Sequence, residues 1–286
     1  MIDELRQVLN SVTDLPPMPP VAARVLALMR DHKSTARDLA GLISSDPAVT
    51  AQILKIANSA YYSLPRQVKT LDHAIVVLGE KTLKSLVLLA CLKGLNKSFG
   101  AVERLLWEDA VGCATAARLV ARRLGCADSE EAFLGGLFRN LGKLVMNNMD
   151  SLKFQRLMDE SSQSELPVDQ LECRYFPFSH MLIGAAVLAK WKFPENLTYV
   201  VRYYTDPGSV SGSSSGLDDL MAVVNIADDF CRRLGIGRRQ PEQRCELGQI
   251  PGARLLGLDH LRLELLLNEF VEAYQRDLDV MLGQGG

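Results

Sequence analysis

Few residues in this chain could hold a metal ion or move a proton, and they are scattered. Histidine occurs four times, at positions 32, 73, 180 and 260; none stands beside another histidine and none is followed by aspartate. A divalent cation is held by lone pairs of neutral imidazole, thiolate or carboxylate converging from short spacings. Neither an H-E-x-x-H helix nor an H-D pair is present to seed such a site. The six cysteines, at 91, 113, 126, 173, 231 and 245, form no C-x-x-C pair. They read as buried, reduced thiols acting as small hydrophobes, without zinc. There is no G-x-S-x-G elbow, no Walker-type loop and no dinucleotide fingerprint. NLGKLV (140–145) holds a Gly-Lys pair but has too few glycines for a phosphate loop and lies in a helical pattern. His180, beside Ser179 at a helix start, reads as a hydrogen-bonded structural residue.

Composition narrows the class. The 286 residues are 48% hydrophobic and 23% charged with net charge −2, an ordinary balance for a globular protein with a sizeable core. It exerts no overall pull toward nucleic acid or an anionic membrane. The local run Arg232, Arg233, Arg238, Arg239 and Arg244 reads as a solvated helix end and loop, with a phosphate-binding patch as the alternative. MIDELRQVLN carries three charges and is no signal peptide. The most apolar stretch, Leu83 to Leu92, is shorter than the roughly 20 residues a bilayer span needs. The expected setting is the reducing cytoplasm.

The elements that must position any site are helical. Ile2, Leu5, Val8 and Leu9 share one face of an opening helix that stops at LPPMPP (15–20), where each proline disfavours helix in the residue before it. Thr35 with Asp38, and Asp46-Pro47, are helix starts; Thr70 caps a helix that ends at Gly79. Further helices are expected at about 81–93, 101–124, 129–148, 151–160, 179–191, 217–234 and 259–282. VSGSSSG (210–216) has linker composition, and Gly235–Gly257 reads as a long excursion. Alternating strand patterns are nearly absent. The expectation is an all-α protein of two packed helical bundles. Asn58, Ser59, Tyr61 and Tyr62 are the least core-like residues of the front half. Asn58 can cap the preceding helix while the tyrosines fill a gap between helices, and a recognition surface for a partner is the alternative.

LPPMPPVAARVLALMRD, LAGLISSDPAVTAQILKIANSAYY and LDHAIVVLGEKTLKSLVL, in that order and spacing, closely resemble the front half of the HDOD family, a helical domain related to HD phosphohydrolases. The resemblance implies an opening helix (1–14), an HDOD domain over 15–206 divided into a front half (15–97) and an HD-like half (98–206), and a C-terminal region (207–286) completing the second bundle. In HD enzymes, histidines and aspartates from several helices hold metal ions that activate water against a phosphoester. EEAFLGGLFRNLGKLVM (130–146) resembles the helix that carries the His-Asp pair, but Arg139 and Asn140 stand there. A guanidinium has no lone pair to give a metal and would repel it; Asn140 keeps an oxygen but no charge. The family's upstream histidine falls at Asp109, its later histidine is kept as His180, its distal histidine pair falls at Tyr203-Tyr204, and a late aspartate at Asp228.

A degenerate site follows: no metal, no cofactor and no catalysis. Arg139, if buried near Asp109, Asp228 or Asn140, could supply the missing positive charge. Members of the family resemble output or scaffold domains tied to bacterial signalling, which implies a regulatory protein that meets other signalling proteins through a helical surface. A second reading is a sensor whose cleft binds a nucleotide or other anion through Arg139, His180 and Tyr203. A third is a phosphohydrolase with an atypical ligand set. The oligomeric state is left open; the last helix, with Leu261, Leu263, Leu265, Leu266, Leu267 and Phe270, is apolar on more than one face.

Overall fold

The computed structural model describes residues 2–12, 15–31, 33–58, 67–97, 99–161, 164, 166–210, 215–242 and 246–281. All regular secondary structure among those residues is helical, with no strand among them. The chain divides into two compact units: Met1–Pro17 with Asn96–Leu266, and Met18–Leu95 with Leu267–Gly286.

In chain order the first helix is α1 (Ile2–Ser11), followed by α2 (Pro20–Arg30), α3 (Ala36–Ser44), α4 (Pro47–Ala57), α5 (Leu71–Leu78) and α6 (Glu80–Lys93). Helices α2 to α6 make up most of the smaller unit, and their starts follow the local chemistry. Thr35 and Asp38 form a reciprocal capping box at α3. Asp46 accepts from Ala48 N and Val49 N at α4, with Pro47 in the first turn. Thr70 accepts from His73 N at α5, which ends on Gly79 at φ +83°. Helix α6 is buried continuously from Ser85 to Leu92, so its apolar run is a core helix.

Asn58 is a structural clamp. Its Nδ2 donates to Leu54 O and to Val68 O, both at 2.7 Å, and its Oδ1 accepts from Val68 N at 2.6 Å. It therefore closes the end of α4 and fastens the chain ahead of α5. Ser59, Tyr61 and Tyr62 lie outside the described residues.

The larger unit is built on α7 (Ala101–Leu124), against which α8 (Ser129–Phe138) packs, and continues with α9 (Leu141–Met149), α10 (Ser151–Ser161), α11 (Val168–Tyr175), α12 (His180–Lys190), α13 (Glu195–Tyr203), α14 (Ser215–Leu234) and α15 (Pro251–Leu255). The last helix, α16 (His260–Met281), begins here, and its residues from Leu267 belong to the smaller unit. Helix α1 packs on α12, and Pro16 O accepts from Trp191 Nε1 at 3.2 Å, so the first prolines of LPPMPP serve this unit. Arg118 fastens α7 to α8: its Nη2 is 2.7 Å from Glu130 Oε2 and its guanidinium lies 3.7 Å from the centre of the Phe133 ring.

Several expectations need correction. The helix expected over 129–148 is two helices, broken at Arg139-Asn140, where Asn140 turns to φ −102°, ψ 17°. The redirected α9 packs closely on α12, where a Cβ on Gly142 would stand 1.9 Å from His180 O. Helices α11, α13 and α15 were not anticipated, and the 235–257 excursion contains α15 and a 3₁₀ turn at Leu247–Gln249. Cys91, Cys113 and Cys231 are buried, but Cys126 is only half-buried and Cys173 is exposed, because Cys173 falls on the outer face of the short amphipathic α11. Cys245 and Arg244 lie outside the described residues, as does 211–214 of the linker-like stretch.

Replacing Asn58 with alanine removes three hydrogen bonds and leaves the Val68 backbone groups unpaired. With each bond worth roughly 1 kcal/mol, urea unfolding of Asn58→Ala is expected to show a loss of about 2 kcal/mol, while Asn58→Asp should retain part of it through Val68 N.

Candidate functional site

The break between α8 and α9 delivers Arg139 to the centre of the larger unit, where it is fully buried. Its Nη2 is 2.7 Å from Asp109 Oδ1 on α7 and its Nε is 2.9 Å from Asp228 Oδ1 on α14. Its Nη1 donates to Asp109 O and Gly136 O, both at 3.2 Å. The guanidinium thus spans two carboxylates from two helices, in the forked geometry that suits it better than an ammonium.

Asn140 extends the network on the other side. Its Nδ2 donates to Asp109 Oδ2, and its Oδ1 lies 3.3 Å from the Tyr204 hydroxyl. Tyr204 in turn is 3.1 Å from His180 Nε2, and His180 Nδ1 is 2.7 Å from both carboxylate oxygens of Glu172. Glu172 also accepts from His180 N at 2.8 Å, across the start of α12. Every one of these side chains is buried.

Charge and burial set the protonation pattern. Burial alone would push Asp228 up, but Arg139, then Arg232 and Arg238, outweigh it and hold its carboxyl well below the usual range. Burial likewise opposes the charge on Arg139, and Asp109 leads the groups that more than restore it. His180 is driven down by burial, against the pull of Glu172. Burial also opposes the charge on Glu172, but the neighbouring His180 and Lys143 keep it ionised, below its ordinary value. Burial, then Asp228, pushes the Tyr204 hydroxyl far up. The consistent arrangement is a neutral His180 donating from Nδ1 to an ionised Glu172 and accepting at Nε2 from Tyr204, whose single proton is then not given to Asn140 Oδ1, 3.3 Å away.

The positions at which the family resemblance placed a metal site are therefore gathered, with one exception. Asp109, Arg139, Asn140, His180, Tyr204 and Asp228 form one connected cluster. Tyr203 does not: it is partly exposed and stacks beside Tyr199 and Arg202, with ring centroids 6.0 Å apart and the Arg202 guanidinium 5.0 Å away. Nor is Arg139 available as a ligand contact, since it is fully buried and four of its five N–H donors go to Asp109, Asp228 and Gly136. The cluster does not fit a divalent cation. Each aspartate already gives an oxygen to a guanidinium, and Asn140 presents its donor nitrogen to Asp109. Among the described residues no group of three or more His, Cys, Asp or Glu is disposed to hold a metal ion.

The arginine run was also misjudged. Arg232 and Arg233 are not solvated: Arg232 lies 3.2 Å from Asp228 and 3.0 Å from Asp229, and Arg233 pairs with Asp229 one turn away. The two acidic residues sit inside, so the arginines on the same helix turn inward to neutralise them. Glu172 was missed altogether; its only sequence signal was its place ahead of His180 in an unassigned segment.

A sequence profile of the HDOD domain matches residues 15–207. The chain belongs to the HDOD family. An HDOD domain protein of unknown function from Geobacter sulfurreducens has the same fold (TM-score 0.77, 23% identity, 99% of this chain and 96% of that one). So does a protein from Shewanella amazonensis provisionally named a phosphohydrolase (0.73, 23%, 99% and 98%). So too does one from Marinobacter aquaeolei provisionally named a signal transduction protein (0.72, 21%, 99% and 65%). At these identities the likeness is one of fold. An uncharacterized protein of Treponema pallidum is 22% identical over 222 residues, and the chain spans 43% of its length.

Arg139→Met would strand two buried carboxylates and should cost about 3–5 kcal/mol near neutral pH. Because the folded state depresses Asp228 below the ordinary aspartate value of 3.8, the stability Arg139 lends it is full above about pH 4 and drains away as pH falls further. Urea unfolding of wild type and Arg139→Met should show the gap between them narrowing from about pH 6 to about pH 3. A gap that widened on acidification would deny Arg139 this role.

Proposed function

We propose that this chain is a non-catalytic regulatory protein of bacterial signal transduction, acting in the cytoplasm through protein–protein contact. The observation that carries the reading is the seat of Arg139, whose guanidinium stands between Asp109 and Asp228 and supplies the positive charge that a metal ion supplies in HD hydrolases. Hydrolysis of a phosphoester in that manner needs a cation with open coordination to lower the pKa of water. A guanidinium offers no such position and stays protonated. The helices that would carry the reaction are retained, locked by an ion-pair network, and leave the helical exterior as the working part. Membership in the HDOD family supports a signalling role.

The second reading, a ligand sensor, draws its support from a cavity beside this cluster. The cavity meets Lys143 and Asp109 rather than Arg139 or Tyr203, so the contacts expected from sequence shift to other residues.

The full chain, purified from cells supplied with manganese, iron and zinc, is expected to carry transition metal well below one ion per chain. It should hydrolyse phosphomonoesters and phosphodiesters no faster than an enzyme-free blank. A tagged copy in the source cell is expected to co-purify with a signalling protein at fixed ratio. One bound metal per chain together with phosphoesterase activity that Asp228→Asn abolishes would overturn the proposal.

A further inference from the structure

Between α7, α9, α10, α11 and the loop after α14 lies a cavity of about 340 Å³, at the lower end of the size range of small-molecule sites. Its loop wall is seated tightly. Gly237 has φ +65°, and a Cβ there would stand 2.3 Å from Asp109 Cβ and 2.5 Å from Leu105 O. Only glycine allows the loop that carries Arg238 to press onto α7 in this way.

Polar demand inside the cavity is one-sided. Asp109 and Glu172 line it, but their oxygens are taken from behind, by Arg139 and Asn140 in one case and by His180 in the other. The donors are not matched. The side chain of Lys143, on α9, makes no hydrogen bond or close ion pair among the described residues, and burial lowers its affinity for a proton against the pull of Glu172. Arg238 gives Nη1 to Glu242 at 3.1 Å, while its Nε is buried without an acceptor. A buried donor left unpaired is costly. Two cationic side chains, Lys143 and Arg238, therefore line one space, with the Lys143 ammonium as the donor left for a ligand and the partly exposed Arg238 guanidinium beside it. The opposite side is apolar, with Phe154, Leu157 and Met158 of α10 and Val168 of α11.

We infer that this cavity is a binding site for a small monocarboxylate with an apolar body, its head held by Lys143 and Arg238 and its hydrocarbon portion by the α10 wall. A single negative charge is favoured over two, because the Asp109, Glu172 and Glu242 carboxylates share the lining with Lys143, Arg238 and Arg239 and repel a dianion more strongly. The inference deepens the sensor reading and rests on it; the Arg139 plug and the regulatory role do not depend on it.

Calorimetry on the full chain with octanoate, 1-octanol, octyl phosphate and adenosine monophosphate tests it. Octanoate is expected to bind saturably at one site per chain, with octanol and both phosphates roughly tenfold weaker or more. Lys143→Met should weaken octanoate by a similar factor and leave octanol unchanged. Val168→Trp, which fills the apolar wall without touching the charges, should abolish both; thermal melting checks that each variant is folded. Octanoate binding that Lys143→Met leaves unchanged overturns the site. Tighter binding of octyl phosphate or adenosine monophosphate overturns the carboxylate assignment while sparing the sensor reading. Failure of all four probes to bind removes both.

Discussion

The larger unit depends on one buried cation. Arg139 stands between Asp109 on α7 and Asp228 on α14, and without it two carboxylates from different helices would face each other out of reach of water. Taking three charges from water is expensive, and such a triad adds little net stability compared with apolar side chains of the same shape. What it does enforce is position. The guanidinium fork fixes the approach of α7 and α14 and requires the chain to enter the core at the end of α8, which ends the helix there. Asn140, Tyr204, His180 and Glu172 then continue the polar path from this point to the start of α12.

On the proposed non-catalytic reading, this arrangement accounts for an HDOD core that does without a metal ion. An enzyme of that type uses its metal twice, as the reagent that activates water and as the charge that holds acidic side chains from several helices together. A guanidinium can do the second and not the first. On that reading the guanidinium balances the charges of Asp109 and Asp228 and offers no open coordination position. The same logic extends outward along α14, where Arg232 and Arg233 turn in toward Asp228 and Asp229. It also bears on the neighbouring cavity, whose carboxylates are satisfied from behind and whose spare groups are donors.

Much of the fold was legible in local chemistry. The starts of α3, α4 and α5 follow from Thr35-Asp38, Asp46-Pro47 and Thr70, because capping is decided within four residues. The continuous burial of α6 follows from its unbroken apolar run. The break at Arg139-Asn140 was not legible, since 129–148 reads as uninterrupted helix and the contacts made at the break, Arg139 with Asp109 and Asp228 and Gly142 against His180 O, reach other helices. Nor were α11 and α13, which are short and polar enough to need neighbours before they are stable.

For the candidate site, the family resemblance placed Arg139 and Asn140 where HD enzymes carry a histidine and an aspartate, and residue type excluded Arg139 as a ligand, because a protonated guanidinium cannot ligate a cation in any fold. Tertiary structure alone decided what that arginine does. It chose Tyr204 over Tyr203 for the network, because on α13 consecutive residues point about 100° apart and only one can face the core. It brought in Glu172, which nothing in its local sequence marks, and it turned the arginines of α14 from an exposed charge run into buried partners. Residue type rules out Arg139 as a metal ligand, but which groups meet depends on distances across helices, and these exist only in the folded chain.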